Sequence, residues 1–287
     1  QATAPKTTTK QIETVVTEPS FSQLFLTFSI KRPPIVWFRH TVCNSFAFAC
    51  SKGTRIRYSG PVRLEESLAG AAFYDLEGTL VSTNLVHTLA FYAGRQQGLM
   101  ASFKKSAATY LSLPLFAVTD QYSRKVFNDL YFKRYKGQSE DRLRYFAYEL
   151  FDEVIKPAVF PGTYELIDKS RKLGLRQVVI TGALDVSVKP LMQHLGISEY
   201  VTNRLEFVNG VATGRLLPPV MAAATKASWI RTYTEREGIN LSDSYAYTDS
   251  MSDLPMLSIV GHPAVVNPDM RLRQTALHHD WPILNLK

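Results

Sequence analysis

Asp75 and Glu77 follow a short apolar run, Ala71-Ala72-Phe73-Tyr74, and stand just before Gly78. Thr181 follows a second apolar run, Leu175–Ile180, and Asp249 a third at Ser244–Tyr247. Lys226 lies near the start of a stretch with helical character, Thr225–Glu237. Carboxylates, a hydroxyl and a lysine are what phosphoryl transfer asks for, because the attacking group must sit in line and the phosphoryl oxygens must be neutralised. A carboxylate can attack phosphorus and form an acyl-phosphate, which splits one hard step into two. A hard cation such as Mg²⁺ takes carboxylate and carbonyl oxygens plus water and bridges nucleophile and phosphate. A hydroxyl, backbone N–H groups and a lysine then hold the remaining oxygens. Singly, each residue has an ordinary reading: a strand-end Asp is often a turn residue or a helix cap, and a lysine is by default on the surface.

The elements that must gather these residues follow from the apolar pattern. The three apolar runs read as buried strands. Thr163–Leu173, Asp185–Leu195, Thr225–Glu237 and Asp253–Val260 read as helices, the first two stopped by Gly174 and Gly196. Asn209-Gly210 between apolar pairs predicts a hairpin over Phe207–Ala212. Residues 263–266 and 281–284 supply the last short strands. Strands alternating with helices predict a parallel sheet covered on both faces, whose strand ends open into one crevice where ligands bind. Residues 83–156 are mostly helical in pattern and too long for a loop, so they read as an inserted α-helical cap. The core domain is then 68–82 with 157–287, preceded by an N-terminal extension at 1–67.

Four segments of this chain resemble the signatures of the haloacid dehalogenase superfamily. Asp75-Leu76-Glu77-Gly78-Thr79-Leu80 is similar to its first signature, Asp-x-Asp-Gly-Thr-Leu. Val178-Val179-Ile180-Thr181-Gly182 resembles the second, Lys226 the third, and Tyr247–Leu257 with Asp249 and Asp253 the fourth. They occur in the right order, and the helical insert resembles the cap of the phosphoserine-phosphatase-like branch, subfamily IB. The resemblance implies a Rossmann-like α/β fold and a Mg²⁺-dependent phosphatase working through an aspartyl-phosphate. It implies Asp75 as nucleophile and Glu77 as acid and base, with Thr181, Gly182 and Lys226 on the phosphate. Asp75, the Glu77 carbonyl and Asp249 would hold the metal, with Asp253 orienting the metal's water or Lys226. Two departures matter: Glu77 stands where most members have Asp, and Asn84 stands where phosphoserine phosphatases carry the Glu that holds the substrate's ammonium. The second departure argues for another phosphomonoester, small or lipid-like. The first keeps open a binding or regulatory protein on the same fold, and sequence does not separate a hydrolase from a phosphotransferase with an alcohol acceptor.

An apolar fraction of 45% with 20% charged residues suits a soluble globular chain. No uncharged apolar run approaches the roughly eighteen residues of a membrane span. Of the formal +8, +6 belongs to residues 1–60, so the body is nearly neutral and a nucleic-acid partner is disfavoured. Residues 1–20 read as disordered. Residues 21–50 are basic and aromatic, as in a segment that lies on a membrane surface, borders an organelle-targeting region or packs as a plain extension. Chloroplast, mitochondrion and cytoplasm all remain open, and the start at Gln1 suggests a processed or trimmed chain. Cys43 and Cys50 read as free thiols. His278-His279-Asp280 reads as a solvated helix end, since adjacent helical side chains do not face one site. Tyr131, Tyr135, Tyr145 and Tyr148 read as cap core. Tyr110–Val118, centred on Pro114, is either cap core or a stretch that dips toward a membrane and admits a lipid phosphate.

Overall fold

A computed structural model describes residues 70–287 apart from Gln97 and Ser123. The expectations for the N-terminal extension, the 21–50 segment and the two cysteines lie outside the described residues.

Seven strands form one sheet in the order β4-β3-β2-β1-β5-β6-β7. They are β1 (Ala71–Tyr74), β2 (Arg176–Leu184), β3 (Glu199–Val208), β4 (Val211–Leu217), β5 (Tyr245–Thr248), β6 (His262–Val266) and β7 (Ile283–Leu284). All neighbours are parallel except the β3–β4 hairpin, so the expected parallel α/β sheet is present. β1 is central and wholly buried, pairing Tyr74 with Val179 on one side and Tyr247 on the other. Buried on both faces, it can be a continuous apolar run with no alternation.

Between β1 and β2 the chain forms five helices: α1 (Leu85–Gly94), α2 (Leu99–Leu111), α3 (Leu113–Tyr122), α4 (Arg124–Phe132) and α5 (Glu140–Leu150). Their aromatic centre is Tyr92, Phe116, Phe127, Tyr131, Phe132 and Tyr135, packed mostly edge to face. Tyr131 and Tyr135 are buried as expected, but Tyr145 and Tyr148 are exposed. α5 turns Leu143, Ala147 and Leu150 inward, at i, i+4 and i+7, which sends 145 and 148 to the opposite side.

After the insert come α6 (Pro161–Lys172), α7 (Asp185–Leu195), α8 (Ala224–Glu237), α9 (Leu254–Leu257) and α10 (Met270–His278). α7 ends where expected, with Gly196 in the left-handed conformation at φ 63°. β2 runs past its expected end to Leu184, with an irregularity between Ile180 and Leu184, so Thr181 lies inside the strand and not after it. The predicted Asp253–Val260 helix is cut to four residues, because Met251–Asp253 winds as a tighter 3₁₀ turn. The hairpin has its Asn-Gly turn, with both residues at positive φ, but its arms are longer than the local pattern suggested. His278 closes α10, and no helix among the described residues is long and apolar enough to cross a membrane.

Candidate active site

The chain from β1 turns sharply after Tyr74. The Asp75 backbone N–H donates to the Tyr247 carbonyl at 2.9 Å, which continues the ladder one residue and fixes Asp75 beside the end of β5. Gly78 then takes φ 82°, and a Cβ there would lie 2.1 Å from Asp249 Oδ2. Only glycine lets this turn press against the Asp249 carboxylate. Thr79, one residue on, donates its hydroxyl to Asp249 Oδ1 at 3.0 Å.

Lys226, in the first turn of α8, is buried instead of exposed. Its ammonium lies 2.6 Å from Asp75 Oδ1 and 2.7 Å from Asp253 Oδ2, a cation held between two buried acids. Thr248 adds a hydrogen bond to the same Asp253 oxygen at 3.2 Å. Burial pulls the Lys226 amine down, but Asp75 and Asp253 outweigh it and hold the group well above the usual lysine value. Burial pushes the Asp75 carboxyl up, and Lys226 offsets this only in part. Asp249 is pushed up to about 7, by burial first and by the charge of Asp75 next.

Thr181 is fully buried; its hydroxyl donates to Glu77 Oε2 at 2.9 Å and accepts from the Ala183 N–H at 3.0 Å. Gly182, and not Thr181, stands in the wall of the open cavity. That cavity, about 560 Å³, brings together Asp75, Glu77, Gly182, Lys226, Asp249 and Asp253, drawn from four separate parts of the chain. Its far side is Ser82–Val86 with Leu113, Phe116, Phe127 and Asn128, and holds no ionisable side chain. Asn84 caps α1, accepting from the Val86 and His87 N–H groups at 3.0 and 3.4 Å.

Among the described residues no three His, Cys, Asp or Glu side chains are arranged to hold a metal by themselves. The donor set still fits a hard, partly hydrated cation. Mg²⁺ is usually bound by one or two carboxylates together with water and substrate phosphate, not by a closed protein cage. The charge of Asp75 adds to burial in raising the proton affinity of Asp249, and a cation beside both would oppose it.

Sequence reading missed the side chains that hold the loops. Asn203 donates to the Gly182 carbonyl at 2.8 Å and accepts from the Met221 N–H at 2.7 Å, tying β2 to the segment before α8. Asp269 caps α10, accepts from Met251 N–H at 3.1 Å, and its own N–H donates to the Asp249 carbonyl at 2.9 Å. Thr79 and Thr248 lie within the recognised segments, and their hydroxyls were the available signal. Asn203 had none, because its partners are backbone groups distant in sequence; for Asp269 the only signal was that of an ordinary helix cap, since its bonds to Met251 and Asp249 are also distant.

The family model of haloacid dehalogenase-like hydrolases matches residues 72–258. A protein of Mycobacterium tuberculosis (strain ATCC 25618 / H37Rv) named a probable phosphatase is 33% identical over 220 residues, covering 75% of each chain. The protein named phosphoserine phosphatase SerB1 from the same organism is 32% identical over 230 residues, covering 77% of this chain and 72% of its own. A solved structure from Bordetella pertussis Tohama I, a protein with unknown function, superposes with a TM-score of 0.68 at 19% identity, covering 76% of this chain and 99% of its own.

Proposed function

The chain belongs to the haloacid dehalogenase-like hydrolases and is an enzyme of that class; from this premise we propose that it is a Mg²⁺-dependent phosphatase that hydrolyses a phosphomonoester through an aspartyl-phosphate on Asp75. The observation that carries the reading is the Asp75 carboxylate, buried at a strand end, bonded to Lys226 and facing the cavity beside Asp249.

Asp75 attacks phosphorus, and the P–O bond to the leaving alcohol breaks as the new Asp75–phosphorus bond forms. Glu77, held by the Thr181 hydroxyl, gives its proton to the leaving oxygen. It then takes a proton from water, which attacks the phosphorus and restores the Asp75 carboxylate. Lys226 and the backbone at Gly182 hold phosphate oxygens, and Thr181 joins them if its hydroxyl exchanges the bond to Glu77. Asp75, the Glu77 carbonyl and Asp249 would hold Mg²⁺, with Asp253 fixing Lys226. When bound, the cation would supply positive charge that offsets the charge developing on the phosphoryl group. The phosphatase names of the relatives support the reaction class. The uncharged far side of the cavity supports a leaving group without an ammonium, and in that respect the site differs from one built for phosphoserine.

The test is phosphate release from a panel of phosphomonoesters, aryl to glycerol-based, with Mg²⁺ and with chelator. Release that needs the cation and vanishes in Asp75→Asn is the expected result. A folded protein that releases phosphate from none of them would overturn the reading in favour of a binding protein.

A further inference from the structure

α2 is amphipathic the wrong way round for a helix on the surface of a protein surrounded by water. Its buried residue is a polar one, Thr109. Its inward side is hydrogen-bonded: Ser102 accepts from the Gln96 N–H at 3.1 Å, and the Lys105 ammonium donates to the carbonyls of Arg134 and Lys136 at 3.3 Å. Arg134 donates in turn to the hydroxyl of Ser112, just past the helix end. The apolar residues point outward. Leu99, Phe103 and Leu111 are 93%, 72% and 83% exposed, and Met100 and Tyr110 are also exposed. At about 100° per residue these five fall within an arc of about 120°, a continuous stripe and not a scatter. α3 adds exposed Leu115 and Val118, so among the described residues seven of the seventeen large exposed apolar residues lie within residues 99–118. An apolar patch of this kind marks a contact surface.

Two observations choose its occupant. Residues 99–118 contain Lys104 and Lys105 and no acid, and Lys104 is exposed at the edge of the stripe. That is the charge pattern of a helix lying in an anionic lipid interface, whereas a self-paired patch would offer Lys104 no acidic partner from this segment. In addition, α3 faces two ways: Leu115 and Val118 are exposed with the stripe, while Leu113 and Phe116 line the catalytic cavity on its uncharged side.

We propose that the outer face of α2 and α3 rests on an anionic membrane surface, and that the cavity behind it receives the phosphomonoester of an uncharged, lipid-like alcohol from that surface. The substrate half rests on the phosphatase reading; the membrane contact does not.

The experiment uses the full chain with phosphatidylcholine vesicles, with and without phosphatidylserine, read by flotation. The variant combines Leu99→Ser, Phe103→Ser and Leu111→Ser, none of which lines the cavity. Wild type floats with the phosphatidylserine vesicles, and the variant's apparent affinity falls about a thousandfold if all three side chains are fully inserted, since each one lost forfeits about one decade of binding or more. Release from a soluble aryl phosphate stays unchanged, which reports the fold, while release from vesicle-borne lysophosphatidate falls with binding. Lys104→Glu gives an independent arm and weakens flotation with phosphatidylserine vesicles selectively. Equal flotation of wild type and variant, or flotation of neither, overturns the proposal. So does a wild-type dimer in light scattering that the variant dissolves, which would make the stripe an interface between copies. If wild type binds vesicles yet releases no phosphate from any ester, the phosphatase reading fails and the contact surface stands.

Discussion

Replacing Lys226 by Met removes a cation and keeps most of its stem. The ammonium sits 2.6 Å from Asp75 and 2.7 Å from Asp253, and all three side chains are 8% exposed or less. Solvent does not screen this pair, so the discount that applies to surface ion pairs does not apply here. Breaking a buried pair by removing one partner costs about 3–5 kcal/mol, because the remaining charge is stranded; here two carboxylates are stranded. At about 2–4 °C per kcal/mol for a folded body of this size, the midpoint of thermal unfolding falls by about 6–20 °C. The pH dependence has a definite sign. Burial already holds the folded Asp75 carboxyl above its unfolded value, and losing Lys226 raises it further. A group raised in this way contributes stability that is fully present below its unfolded pKa and lost as pH rises through the folded one. The deficit of the variant is therefore widest near about pH 8 and closes toward about pH 4. The assay is thermal and urea unfolding of both proteins in chelator across that range. Equal midpoints at the alkaline end, or a gap that widens in acid, would refute the argument that Lys226 neutralises two buried acids.

Gly78→Ala places a methyl group 2.1 Å from Asp249 Oδ2 at a φ of 82°. The carboxylate must move, and Mg²⁺ affinity measured by calorimetry is expected to fall about tenfold or more with the fold retained, since the backbone strain alone is about 1–2 kcal/mol. Asp249, raised to about 7, must lose its proton to bind a cation, so apparent Mg²⁺ affinity climbs with pH up to about 7 and then levels. A flat titration from about pH 5 to 8 would contradict that. By the same linkage, the metal-free protein loses this group's contribution to stability as pH rises through about 7, and added Mg²⁺ returns it. Asn84→Ala removes the cap from α1 and costs about 1 kcal/mol, seen as a midpoint about 2–4 °C lower.

The buried strands and most of the helices that follow them were legible from apolar runs and their stops, the Asp253–Val260 helix and the end of β2 excepted. Ala71–Tyr74 and the following Asp75 announce a central strand and its polar end, and Gly196 stops α7 by its backbone freedom. Lys226 was legible only through its order among the other signatures, because nothing local distinguishes a lysine that reaches two acids from one that reaches water. The bond between Thr181 and Glu77 was not legible, since it depends on β2 continuing to Leu184 through an irregular register that no residue pattern marks. Tyr145 and Tyr148 were misread for a related reason. Aromatic content says that a segment has a core, and only the phase of α5 against its neighbours says which tyrosines enter it.

The charge of the cavity argues for the cation more strongly than any single ligand does. Its wall carries four carboxylic acids, Asp75, Glu77, Asp249 and Asp253, against one base, Lys226. A phosphate ester arrives with about 1.5–2 negative charges of its own, into a site whose acids are already hard to ionise together. Lys226 already gives two of its three N–H donors to two of those acids, which leaves one for a phosphate oxygen. On the proposed reading phosphate binding calls for further positive charge, and a divalent ion held by Asp75 and Asp249 would supply it where burial and the charge of Asp75 raise Asp249. On the proposed reading the same arithmetic favours an uncharged side for the leaving group. An acid there would add to the excess, whereas an alcohol resting among Leu113, Phe116 and Phe127 leaves the electrostatics of the phosphoryl end as they are.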